Sequence, residues 1–149
     1  MRKILFTLTL LFSVGVLSAQ QAVIRNAEIE NLVKQVSSDS LKKFIYDLSS
    51  FETRHTLNTD AEKGMPASQN YVLGKFKEFA KQSGGRMTAE IQNFVTPGDG
   101  RRIPTDSQVA NVVATLKGTD PNDPRVIIVS GHLDSRNKDV MDATGGAPG

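Results

Sequence analysis

The sequence predicts an α/β fold, the N-terminal part of an α/β sandwich, and two observations favour this class. Segments with the apolar period of amphipathic helices come first along the chain, and β-branched apolar runs follow them. Strands that are apolar on both faces need helices on both sides of their sheet, so further helices should follow the last run. The chain instead passes through a polar, Gly- and Pro-rich stretch to Gly149, which predicts a fold interrupted inside a loop.

Three helices are predicted ahead of the strands. Apolar residues recur at helical spacing over 29–36 and again over 41–48. A third helix is predicted from Pro66, a residue that suits the first helical position, to the glycine pair at Gly84. The apolar face of the third helix comprises Tyr71, Val72, Phe76, Phe79 and Ala80.

Three strands are predicted after the helices. Apolar and polar residues alternate over 87–95, which is typical of a half-buried strand, and a loop follows over 97–104. The runs 109–116 and 126–129 are almost wholly apolar, which is typical of strands buried on both faces. No repeat or linker divides residues 20–149, so we expect them to form one incomplete domain.

Residues 1–19 have the layout of a secretory signal peptide. Arg2 and Lys3 precede an apolar stretch over 4–17, and small residues end the segment at Ala19. Polar residues interrupt the stretch, which falls short of the about 20 apolar residues that span a bilayer. The segment therefore predicts an exported protein, periplasmic or extracellular, with no stable membrane insertion after cleavage.

The composition excludes several classes of function. The chain of 149 residues carries 18 Lys and Arg against 16 Asp and Glu, and without the two basic leader residues the charges balance. This balance gives no electrostatic reason to expect nucleic acid as a partner. Without cysteine there is no disulfide, thiolate nucleophile or cysteine zinc site, and without an H-E-x-x-H motif this segment is no zincin.

His132 and Asp134 are the candidate site residues. They follow the run 126–129 directly, at the sheet edge where α/β proteins usually bind ligands. An H-x-D pair in an extended segment places both side chains on one side, so the imidazole can bind a metal while the carboxylate orients it. In the alternative interpretation, His132 caps the end of the strand and Asp134 caps a turn. For an isolated H-x-D, this purely structural interpretation is the better one.

Other polar residues carry weaker signals. Asp139 and Asp142 fall in a variable polar loop, and we interpret them as solvated acids. Arg54 and His55 lie in the loop before the third helix, where they either border a catalytic cleft or expose polar side chains to solvent. The residues alone leave both possibilities open.

Several motifs together resemble one known family. VIIVSGHLDS at 126–135 is followed, across the polar loop, by GAPG at 146–149, while NVVATLKG occupies 111–118 and FETRHT occupies 51–56. In their order along the chain, these motifs are similar to those of the secreted zinc aminopeptidases of metallopeptidase family twenty-eight, of the aminopeptidase Y and leucine aminopeptidase type. Members of that family have a strand ending in G-x-H-x-D-S, a variable loop and then a G-A-x-D or A-P-G-A-x-D segment.

This resemblance implies both a fold and an activity. The fold would be a zinc exopeptidase-like α/β/α sandwich with a mixed central sheet, truncated before its remaining strands and helices. His132 would be one ligand of a two-zinc site, and Asp134 would be the catalytic-site acid that orients this ligand. The bridging aspartate, the catalytic glutamate and the other ligands would lie beyond Gly149. The full-length parent would remove N-terminal residues from peptide substrates, and the 149-residue chain alone is expected to be inactive.

Two alternatives stay open at this point. Another zinc hydrolase of the same superfamily, a carboxypeptidase or a glutaminyl cyclase, would share these motifs. A non-catalytic binding domain could also keep the peptidase fold after losing its metal site. The presence or absence of the downstream ligands distinguishes an enzyme from a binding domain.

Overall fold

A computed structural model of the protein describes residues 25–138 and 145–147, so the predicted signal peptide, Asp139 and Asp142 lie outside the described residues. The chain divides into two compact units, and the boundary between them falls between Ser38 and Asp39. None of the described helices is long and apolar enough to cross a lipid bilayer. The elements, in chain order, are α1 (Ala27–Lys34), α2 (Ser38–Ser49), α3 (Gly64–Lys81), β1 (Met87–Thr96) and β2 (Ser107–Leu116).

In the first unit, α1 confirms the first predicted helix. The Asn26 side chain caps the helix by accepting hydrogen bonds from the backbone N–H groups of Glu28 and Ile29, at 2.9 and 3.3 Å. One turn apart, Lys34 and Glu30 form an ion pair at 3.1 Å. The apolar residues of this short helix remain exposed.

In the second unit, one tyrosine joins α2 to α3. The Tyr71 hydroxyl donates a hydrogen bond to Oδ2 of Asp47 at 2.7 Å, and the Tyr71 ring lies 5.7 Å from the ring of Phe51. Burial, together with the Asp47 hydrogen bond, raises the pKa of Tyr71 to about 12. The pKa of Asp47 is lowered, because its carboxylate accepts a hydrogen bond from Lys43, which has the larger effect, and another from Tyr71.

The start of α3 differs slightly from the prediction. The helix begins at Gly64, so Pro66 is its third residue and not its first. Proline is tolerated there, because the N–H groups of the first helical turn have no partner within the helix. The helix ends at Lys81, and the predicted glycine pair follows two residues after the C-cap Gln82, with a left-handed φ of 62° at Gly84. Phe79 stays 47% exposed, so the predicted apolar face of α3 is only partly covered.

The two strands form an antiparallel hairpin. Their register runs from Met87 opposite Leu116 to Thr96 opposite Ser107. The half-buried and exposed positions of β1 alternate over its first six residues, which confirms the predicted period. Because α3 packs against both strands, the described residues form a helix-on-sheet arrangement compatible with a mixed α/β fold. The α/β/α sandwich with a mixed sheet stays a prediction.

The prediction that two strands are buried on both faces is wrong for the described residues. In β2 only Ser107 is buried, because α3 is the one helix among the described elements that packs extensively against the hairpin, and one helix cannot cover both faces of a sheet. Residues 126–129 form no strand, and their exposed fractions lie between 83% at Val126 and 93% at Val129. A strand requires a neighbour with which to exchange backbone hydrogen bonds, and no described strand pairs with this run.

Candidate metal-binding site

His132 and Asp134 lie close together in the extended segment after residue 129. Nδ1 of His132 lies 3.0 Å from the carbonyl oxygen of Asp134 and 3.4 Å from its carboxylate Oδ1. Both side chains are open to solvent, with exposed fractions of 87% and 66%. When Nδ1 carries the proton and donates a hydrogen bond to Asp134, the lone pair on Nε2 is available to a metal.

The described residues fit a zinc ion at one ligand position. A neutral imidazole supported by a neighbouring carboxylate is a common form of zinc ligand. Over 25–138 and 145–147, however, no group of three or more His, Cys, Asp or Glu residues lies close enough together to hold a metal. A catalytic zinc site uses about three protein ligands. The described part of the chain therefore contributes one candidate ligand to such a site.

Arg54 contacts the segment that carries the candidate ligand. This residue lies in the loop between α2 and α3 and is only 6% exposed. Its Nε donates a hydrogen bond to the carbonyl oxygen of Leu133 at 3.0 Å. Its Nη1 donates to the carbonyl oxygens of Leu48, at 2.7 Å, and Ala147, at 3.5 Å. The guanidinium group thus ties the end of α2 to two distant segments of the chain.

Backbone and threonine contacts reinforce this junction. The N–H of Ser135 donates to the carbonyl oxygen of Arg54 at 3.1 Å, in an isolated antiparallel bridge. The fully buried Thr53 donates a hydrogen bond from Oγ1 to the carbonyl oxygen of Gly145. Three segments that are far apart in sequence, 53–54, 133–135 and 145–147, therefore meet in space. Each segment overlaps one of the motifs that carry the family resemblance.

Burial and charge act on Arg54 in opposite directions. Burial lowers the pKa of the Arg54 guanidinium, whereas the Asp134 carboxylate raises it. An arginine in a protein stays protonated over the physiological range, so Arg54 remains a buried cation in the electrostatic field of Asp134. The interpretation of Arg54 as an exposed loop residue is wrong. Its place in the F-x-T-R motif was the only sign of this role in the sequence.

His55 belongs to a different surface. It lines a cleft of about 470 Å³ together with residues of the hairpin and its loop, among them Thr96, Asp99 and Arg102. Neither His132 nor Asp134 lines this cleft. The structure therefore does not bring the two histidines to one site.

Several proteins with sequences similar to this chain are named as zinc metalloproteases. The chain is 42% identical over 125 residues to a "Probable zinc metalloprotease" of Phaeosphaeria nodorum, an alignment that covers 82% of the chain and 25% of that protein. It is 37% identical over 136 residues to a "Probable zinc metalloprotease" of Pyricularia oryzae, covering 90% of the chain and 26% of that protein. These similarities support a zinc metallopeptidase.

A more distant similarity links the chain to a named peptidase. "Leucine aminopeptidase 1" of Metarhizium robertsii is 29% identical over 110 residues, which cover 74% of the chain and 24% of that protein. The chain spans about a quarter of the length of the curated relatives it matches. No protein-family model matches the chain, and no solved structure does.

Proposed function

We propose that the protein is an exported zinc aminopeptidase that removes N-terminal residues from peptides. The observation that carries this proposal is the junction at Arg54, where three motif segments meet beside His132 and Asp134. The metalloprotease relatives support the class of enzyme, and the distant leucine aminopeptidase supports the exopeptidase specificity.

In this proposal each residue of the site has a separate role. Zinc, when bound, supplies an acidified water molecule and polarises the scissile carbonyl group. His132 would hold the metal, and because its Nδ1 lies against Asp134, Nε2 is the nitrogen that would be available for this. Asp134 accepts a hydrogen bond from the Nδ1–H group, which keeps its proton, and this bond would fix the tautomer and the orientation of the ring. A site with two zinc ions is part of the proposal, and its other ligands are not among the described residues.

The proposed substrates and location follow from weaker observations. Peptides are the proposed partners, while the balanced charge of residues 20–149 argues against nucleic acid. The composition of residues 1–19 supports export to the periplasm or the extracellular space, without stable membrane insertion after cleavage.

Hydrolysis of two matched substrates tests this function. The protein, expressed from its complete reading frame, is given leucine p-nitroanilide and its N-acetylated form. We expect release of nitroaniline only from the free amine, with loss of activity on chelation and recovery with zinc. Release that persists after exhaustive chelation would contradict zinc chemistry. Equal hydrolysis of the blocked substrate would contradict aminopeptidase specificity, and hydrolysis of neither substrate would favour a binding domain.

A polypeptide ending at Gly149 provides a second test. We expect it to be inactive, because its described residues supply one candidate ligand where catalysis needs about three. Chelator-sensitive release of nitroaniline by this polypeptide would contradict the assignment of the remaining ligands to other parts of the protein.

A further inference from the structure

We propose that Arg54 is a positioning residue, which holds the segment 132–135 in the conformation that presents the His132 imidazole to zinc. The inference rests on the proposed function, since it takes His132 to be a metal ligand. Leu133, whose carbonyl oxygen accepts the Nε–H of Arg54 at 3.0 Å, lies directly between His132 and Asp134.

The two contacts of Arg54 with this segment lie on either side of Asp134. The side chain of Arg54 binds the carbonyl of Leu133, and the backbone carbonyl of Arg54 binds the N–H of Ser135 at 3.1 Å. The backbone of Asp134 is therefore fixed at both ends. Nδ1 of His132 lies 3.0 Å from the carbonyl oxygen of Asp134, so the position of this backbone determines the orientation of the ring.

The His132 side chain has little else to hold it. It is 87% exposed, and its hydrogen-bond and ion-pair contacts within the described part of the chain are with Asp134 alone. An exposed side chain with free rotamers must lose conformational entropy when it binds a metal. A backbone that is already fixed reduces this loss, which is the general advantage of an ordered ligand.

The chemistry of the guanidinium group suits this role. Its donors form a rigid planar fork, and in Arg54 they reach carbonyl oxygens of three separate segments, at Leu133, Leu48 and Ala147. A lysine ammonium is a single point of donation on a flexible stem, so it cannot reproduce this arrangement. The role therefore requires arginine and not simply a positive charge.

The zinc affinities of two arginine variants test the proposal. Arg54→Met is compared with Arg86→Met in the protein expressed from its complete reading frame, by competition with a chromophoric chelator. Arg86 is the matched control, because its Nε and Nη2 also donate to a backbone carbonyl, that of Lys117, at 3.0 and 2.7 Å. We expect Arg54→Met to weaken zinc binding about tenfold or more and Arg86→Met to leave it unchanged. Wild-type affinity in Arg54→Met overturns the proposal.

A spectroscopic measurement separates positioning from general stability. The ¹⁵N shifts of the His132 ring report which nitrogen carries the proton, and they are recorded without metal. We expect a dominant Nδ1–H form in the wild type and a mixture of tautomers in Arg54→Met. Identical shifts in the two proteins overturn the proposal. If the wild type binds no zinc, the proposed function fails, and this comparison still decides whether Arg54 orients His132.

A wild-type experiment applies if the variant does not fold. Coupling between two sites is reciprocal. If the hydrogen bonds that join Arg54 to Leu133 and Ser135 favour zinc binding, zinc binding must in turn stabilise these hydrogen bonds. We expect zinc, at a concentration that saturates the wild-type protein, to slow hydrogen exchange at the Ser135 amide and at Nε–H of Arg54 by about tenfold or more. Exchange rates that zinc binding leaves unchanged overturn the proposal.

Discussion

The Asn58 side chain donates a hydrogen bond from Nδ2 to the carbonyl oxygen of Thr53, at 2.8 Å, and so closes the loop that carries Arg54. The backbone N–H of Asn58 adds a second closure, to the carbonyl oxygen of His55 at 2.8 Å. Thr53, Arg54 and Asn58 are all buried. Because buried polar groups are costly when unpaired, this loop is a stable platform for the guanidinium group.

A methyl group at Gly64 should disrupt this platform. Gly64 has a φ of 74°, and an added Cβ would lie only 2.7 Å from Oδ1 of Asn58. We expect Gly64→Ala to lower the free energy of unfolding by about 2 kcal/mol or more, measured by urea denaturation.

Gly74→Ala is the matched control for this substitution. An added Cβ at Gly74, within α3, meets no atom within 4 Å, so alanine should raise the free energy of unfolding by about 0.5–1 kcal/mol. Effects of the same sign and size at the two glycines would contradict the packing described for Asn58.

Tyr71→Phe removes the hydrogen bond between α2 and α3. We expect a loss of about 1 kcal/mol near neutral pH, because Asp47 loses a partner. The folded pKa of about 12 exceeds the ordinary value of 10.0, so this contribution is present below pH 10.0 and is lost as the pH rises towards 12.

The stability difference between wild type and Tyr71→Phe should therefore shrink above pH 10.0, as measured by denaturation at a series of pH values. Tyr46→Phe is the control, because Tyr46 is 73% exposed and removing its hydroxyl should change stability little. A difference between wild type and Tyr71→Phe that is independent of pH up to 12 would contradict the raised pKa of Tyr71.

Asp134→Asn tests the orienting role of the carboxylate. The backbone carbonyl of Asp134 can still accept from Nδ1 of His132, but the charge is lost. We expect zinc affinity and kcat/KM for leucine p-nitroanilide to fall by about 10-fold to 100-fold. Asp123→Asn, which removes an exposed carboxylate paired with Arg125, should change neither quantity. Equal behaviour of the two variants would argue against any role for Asp134 at the metal.

The exposed run 126–129 predicts self-association of the 149-residue polypeptide. Its four apolar side chains are open to solvent, and its backbone has no strand partner among the described residues. We expect this polypeptide to scatter light at micromolar concentration. Val126→Lys combined with Ile128→Lys, on one face of the extended run, should reduce the scattering, whereas Asn122→Lys in the preceding turn should not. A monodisperse wild-type polypeptide would contradict this prediction.

Local patterns were sufficient to predict the helices and the two strands of the hairpin, but not the antiparallel pairing of these strands. The helical spacing over 29–36 and 41–48, and the alternation over 87–95, depend on side chains only a few residues apart, and the structure has the elements they predict. The burial of 109–116 and 126–129 depends instead on the strands and helices that pair with and pack against them from distant parts of the chain. For this reason the apolar composition of these two runs did not predict their burial correctly.

The candidate site shows the same division between local and distant contacts. The proximity of His132 and Asp134 follows from alternate residues sharing one side of an extended segment, and H-x-D spacing is enough to predict it. The contact between Arg54 and Leu133 joins residues 79 positions apart. No periodicity in the sequence reports a contact of that kind, so the burial of Arg54 emerged only from the fold.

The zinc content of two histidine variants tests most directly whether His132 binds the metal. The chain has two histidines, so His55→Asn is a natural control for His132→Asn. Each protein, expressed from its complete reading frame, is dialysed against metal-free buffer and its zinc is quantified by mass spectrometry. We predict that wild type and His55→Asn retain equal amounts of zinc and that His132→Asn retains less. Wild-type zinc content in His132→Asn would contradict the assignment of His132 as a ligand.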